Sequence, residues 1–94
     1  MIGGGSRVRL AAKARLQRDR VSGKQFLLYP ERGLELSESA TRIVVLIVGA
    51  AADRTVGGIV DELAAASGEP RERIEREVID FLRALDDRGL LVVL

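Results

Sequence analysis

LLYPERGLEL, residues 27–36, decides how the rest of the chain is read, and it runs straight into SESA at residues 37–40. It opens apolar, turns sharply polar, and ends in alternation. Pro30 has no N–H to give to a ladder and a fixed φ, so it interrupts the strand that KQFLLY begins. GLEL then sets Leu34 and Leu36 on one face and Glu35 on the other, the pattern of a short half-buried strand. Ser37 suits a helix N-cap, and Glu38 follows at the positive end of the helix dipole. The stretch predicts two strands around a proline turn, then a helix at once. The second strand is lightly covered. Its open edge is the first candidate for a working surface.

Toward the N-terminus, ARLQRD and KQFLLY flank the turn residues RVSG, where Gly23 supplies the positive φ that a tight hairpin often needs. Three short antiparallel strands result. The start, MIGGGS, reads as flexible, so residues 1–13 are expected to be a leader and residues 14–94 the domain. Toward the C-terminus, Ala40, Ile43, Val44 and Ile47 recur at helical spacing with Gly49 as a stop. IVVLIV alone also suits a buried strand, but the cap and the stop agree on helix. A second helix starts near Thr55 and ends before Gly68. Gly57 and Gly58 in its first turn cost up to about 1 kcal/mol each relative to alanine, so it should fray there or pack unusually closely. The third runs from Pro70 toward Gly89, with Glu69 and Arg73, and Glu72 and Arg76, in the favourable i, i+4 order. LLVVL closes the chain as a short strand or a packed tail. The fold class is α+β, a winged-helix-like domain with a three-stranded antiparallel sheet followed by a three-helix bundle.

Composition narrows the function. The chain has no cysteine and no histidine, which removes disulfides, thiolate–zinc sites, cysteine nucleophiles and the usual proton shuttle near neutrality. Glu72, Glu75, Glu77 and Asp80 lie among arginines, the pattern of a solvated salt-bridge face. The glycines form no phosphate-binding loop, since GGG precedes no strand–helix unit and no lysine with serine or threonine follows Gly58. These features argue against an enzyme. No secretory signal or membrane-length apolar run is present, so a cytoplasmic domain is the default. Net charge is +1 but uneven: residues 1–32 carry eight basic and two acidic side chains, residues 33–94 seven basic and twelve acidic.

On the third helix, Ile74, Val78, Phe81 and Leu85 form the expected core stripe, with Leu82 beside it and Ile79 further round. The core does not require Ile79. Ile79 and Leu82 are therefore candidates to line a groove beside the GLEL edge, where an extended peptide adds as a strand and places alternate side chains in sockets. Two helices joined across ASGEP between strands also suit a DNA-binding winged helix. The would-be recognition helix, residues 69–88, carries seven acidic and five basic residues, which speaks against that use. An open edge and an apolar first helix permit a homodimer without requiring one.

RLQRD, then a hairpin turn, LLYPERGLELSESA, DRTVGGIVDEL and PRERIEREVIDFLRALDDRGLL together resemble the PqqD family, small peptide chaperones of pyrroloquinoline quinone biosynthesis. The resemblance runs from about residue 14 to residue 91; its most specific part is LL-x-PER followed by L-x-L-S. It implies a RiPP recognition element that binds the precursor peptide PqqA and presents it to the radical SAM enzyme PqqE, with no cofactor of its own. The peptide is expected to lie between the third strand and the third helix. Carried to this chain, the peptide-binding residues are Gly33, Leu34, Glu35, Leu36, Arg71, Glu75, Ile79 and Leu82. Related recognition elements serve other modified peptides, which is the alternative client. The segment GAAADRTV between the first two helices is longer than the family pattern.

Overall fold

A computed structural model of the chain describes residues 2–30, 32–49 and 55–94. In chain order the elements are β1 (Val8–Leu10), β2 (Arg15–Arg18), β3 (Gln25–Tyr29), β4 (Arg32–Leu36), α1 (Glu38–Gly49), α2 (Val56–Ser67), α3 (Arg71–Asp87) and β5 (Leu91–Val93). The α+β architecture is the expected one. β2, β3 and β4 form an antiparallel meander and the three helices follow. Ala50 to Arg54, most of the long connection noted in the sequence, lie outside the described residues.

Local chemistry sets each boundary. The β2–β3 hairpin closes where the Asp19 N–H donates to the Lys24 carbonyl at 2.8 Å, with Gly23 at φ 75°. The Ser22 hydroxyl and the Val21 N–H both donate to the Asp19 carboxylate, and they hold it below the usual range. Ser37 caps α1 by accepting the Ala40 N–H on its Oγ at 3.1 Å. The β-branched run is helical, as its cap and stop imply. Thr55 caps α2 through the Gly58 N–H at 3.1 Å, and Gly68 ends it in the left-handed region at φ 71°. Pro70 occupies the cap of α3 rather than its first turn. Gly89, at φ 72°, ends that helix with a paired motif: its N–H reaches Asp86 and the Leu90 N–H reaches Leu85, both at 2.9 Å.

The N-terminal residues do not behave as the expected leader. β1 pairs antiparallel with β5, Val8 opposite Val93 and Leu10 opposite Leu91, and Ile2 and Val8 are buried in the core. The Gly57 N–H donates to the Gly4 carbonyl and the Val56 N–H to the Ser6 carbonyl, each at 2.8 Å. A Cβ at Gly57 would lie 3.0 Å from that Gly4 oxygen, so this glycine buys close passage of the first residues over the start of α2. The glycine pair packs closely, which was one of its two expected outcomes. The physical reason for the revision is burial: Ile2 and Val8 cover the end of the helical layer, and LLVVL finds its ladder partner there.

One core joins both layers. Leu27 and Leu36 enter it from the sheet, Ile43, Val44 and Ile47 from α1, Val56, Ile59 and Val60 from α2, and Ile74, Val78, Leu82 and Leu85 from α3. The α3 stripe is thus rotated from the expected one. Leu82 is fully buried and Phe81 only half-buried, because α3 packs chiefly on α2 and turns its centre that way. Among the described residues no helix is long and apolar enough to cross a membrane.

Candidate functional site

Among the described residues β4 is an edge strand, paired with β3 on one side only. Which of its backbone groups are free follows from the phase of the ladder. Bonded and non-bonded pairs alternate along antiparallel strands. The Asp19 to Lys24 bond makes that pair a bonded one, so Gln17/Phe26 and Arg15/Leu28 are bonded too. Phe26 and Leu28 therefore turn their N–H and C=O to β2, and Gln25, Leu27 and Tyr29 turn theirs to β4. The partners of these three are Leu36, Leu34 and Arg32. Gly33 and Glu35 are left with both backbone groups aimed at the open edge. Their side-chain positions face away from the core, whereas Leu36 is buried and Leu34 half-buried. Gly33 lies under Leu28 Cδ2, which would stand 3.1 Å from a Cβ there.

Two depressions bring residues flanking β4 in sequence to α3. One sets Ser39, Arg42 and Ile43, just after β4, against Arg73, Ile74, Glu77 and Val78. The other sets Tyr29 and Pro30, just before β4, against Arg88, Gly89 and Leu90. The helix therefore runs opposite in direction to β4, its first turns toward the end of the strand and its last turn toward the start. The flank that connects those ends carries Arg73, Glu77, Phe81, Ala84 and Arg88, which fall within about 80° of one another on a helix of 3.6 residues per turn. Phe81 on this flank and Leu34 on β4 are both half-buried against the core.

The candidate residues from the sequence divide accordingly. Gly33, Leu34, Glu35 and Leu36 are together on β4, with Leu36 turned inward. Glu75 and Ile79 are not brought to them: they line a shallow depression with Glu72, Arg76, Asp80 and Arg83, all on α3. Arg71 is tied into a clamp, its Nε donating to Asp61 of α2 at 2.6 Å and its Nη1 to Glu75 at 2.7 Å. Those carboxylates, Asp61 first, raise its pKa further. Leu82 is core and offers no socket wall. Periodicity gives the faces of a helix but not which neighbour each face meets, and the flank of Glu75 and Ile79 shares no depression with β4 among the described residues. Phe81 was legible only as core. Among the described residues no group of acidic, histidine or cysteine side chains stands together as a metal site.

The comparisons agree with this architecture. The family model described as Coenzyme PQQ synthesis protein D (PqqD) matches residues 24–91. A PqqA binding protein of Bradyrhizobium diazoefficiens is 38% identical over 92% of this chain and 81% of its own. One of Rhizobium meliloti is 33% identical over 99% and 92%. Among solved structures, the solution NMR structure of the PqqD truncation of Methylobacterium extorquens PqqCD, a stand-alone RiPP recognition element, superposes with a TM-score of 0.80 at 26% identity, covering 98% of this chain and 95% of that one. TbiB1 in complex with the TbiA(beta) leader peptide gives 0.72 at 25% identity, covering 88% and 93%. With its sheet, its helices and nearly its whole length accounted for in this way, the chain belongs to the PqqD family.

Proposed function

We propose that this protein binds a PqqA-type precursor peptide as an added strand on β4 and presents it to the radical SAM enzyme PqqE, itself performing no chemistry. The observation that carries the reading is the pair of free backbone positions at Gly33 and Glu35. An extended peptide needs such a row of unpaired N–H and C=O groups, and a bare edge in a monomer is otherwise an aggregation hazard. Leu34 and Phe81 supply the apolar lining for alternate peptide side chains. The names of the relatives and the leader-peptide complex of a structural neighbour support the same client class.

Proline scanning of one strand tests it. The Glu35 N–H is not used by β3, so Glu35→Pro removes an edge donor while leaving the sheet ladder whole. Glu35→Ala removes the same side chain and keeps the donor. We expect Glu35→Ala to bind a synthetic PqqA-type peptide nearly as the parent does, and Glu35→Pro to lose about five- to tenfold, the worth of one backbone hydrogen bond. Equal affinities of the two folded variants would remove strand addition on this edge. Phe81→Ala is expected to weaken binding as well, and Ile79→Asp, on the far flank, to leave it.

A further inference from the structure

The two ends of the β4–α3 groove differ in charge. At the end where β4 hands over to α1 the cations are neutralised. Arg42 pairs with Glu38 at 2.9 Å, and Arg73 lies 3.6 Å from both Glu69 and Glu77. At the other end, where the β3–β4 turn sits, Lys13, Arg15 and Arg32 line one depression whose floor is Leu28, Tyr29 and Pro30. None of these three cations has an ion pair among the described residues. Arg88, also without one, stands over the adjoining depression together with Lys13. Arg32 is the first residue of β4 and Arg88 follows the last turn of α3. A strand lying in the groove leaves it between these two side chains.

We propose that this end is a carboxylate-recognition basin, and that the client peptide carries an acidic side chain just beyond its strand-forming segment, bound by Lys13, Arg15 and Arg32. The inference rests on the strand-addition reading and adds to it the direction in which the peptide lies. Backbone pairing alone tolerates either direction, since its donors and acceptors repeat along the edge. A single charged end does not. The floor is apolar and fits the methylene stem of a glutamate or aspartate, while guanidinium groups offer planar paired donors that suit a carboxylate. A nucleic-acid backbone is the less fitting occupant. It would carry its charge on along the groove, beside a helix with seven acidic and five basic residues between Glu69 and Arg88.

The test is a coupling cycle by fluorescence anisotropy. The protein partners are the parent chain and its Lys13→Gln/Arg15→Gln/Arg32→Gln variant, with folding checked by circular dichroism. The probe is a labelled synthetic PqqA-type peptide, plus a set in which each Glu or Asp is changed singly to Gln or Asn. We expect the triple variant to bind about tenfold more weakly, the yield of two or three partly exposed ion pairs. One position of the peptide set should weaken binding to the parent several-fold and leave binding to the triple variant unchanged. An Arg32→Glu chain should regain affinity for the peptide with lysine at that position. Equal binding by parent and triple variant overturns the basin and leaves strand addition standing. Peptide substitutions whose effects are the same in both proteins also overturn it. No binding by the parent chain overturns both readings. Displacement of the peptide from the parent, but not from the triple variant, by a mixed-sequence DNA duplex assigns the basin to phosphate and overturns the peptide occupant.

Discussion

Leu82 and Ile79 sit three positions apart on one helix, and their fates differ. Leu82 is fully buried among residues of both layers; Ile79 is half-buried beside the charged outer flank of α3. Truncating a buried leucine costs about 2–5 kcal/mol, because the lost transfer energy adds to that of the cavity. At about 4–8 °C per kcal/mol for a domain of this size, Leu82→Ala is expected to lower the melting temperature by more than about 10 °C. Ile79→Ala, removing partly solvated methyls, should lower it by a few degrees at most. Thermal melts followed by circular dichroism check the pair, and equal shifts would contradict the placement of the stripe. The sequence carried half of this. It distinguished an apolar face from a charged one, but a rotation of the face by one residue is below what spacing alone can define. Tertiary packing against α2 sets that rotation.

At the scale of elements, what was legible had a local cause and what was not had a distant one. The hairpin, the proline turn, the cap at Ser37, the start of α2 near Thr55 and the stops at Gly68 and Gly89 each depend on residues within a few positions. All were readable. β1 has no such signal: RVRL becomes a strand because LLVVL, more than eighty residues later, pairs with it. The preceding glycines suggest freedom, yet the backbone at Gly4 passes close over α2, and the missing side chain of Gly57, where a Cβ would lie 3.0 Å from the Gly4 oxygen, is what permits the approach. Deletion of residues 1–10 should therefore be costly. It strips Ile2 and Val8 from the core, worth about 1.5–3 kcal/mol each, and leaves β5 unpaired. Small domains have only about 5–15 kcal/mol in total. The truncated chain is expected to lose most of its urea resistance, with a midpoint well below that of the parent. An unchanged midpoint would restore the reading of these residues as a leader.

For the whole molecule, the same separation of charge that sets the basin apart also predicts how binding responds to salt. Residues 1–32 form a basic pole of the sequence and the remainder an acidic one, although the net charge is only +1. A DNA duplex laid on the basic pole with about six phosphate contacts would lose roughly a thousandfold in affinity between about 50 and 200 mM salt, through counterion release. Strand addition gains chiefly from backbone hydrogen bonds and apolar contacts, which screening scarcely touches. Only the basin is exposed to it, and two or three ion pairs at the rim respond weakly. Peptide affinity is therefore expected to fall by less than about tenfold over that interval and then level off once the basin is screened. The Lys13→Gln/Arg15→Gln/Arg32→Gln chain should begin at that plateau and stay flat. A slope that remains steep at high salt would mean that phosphate-like polyanion binding, not the β4 edge, holds the ligand.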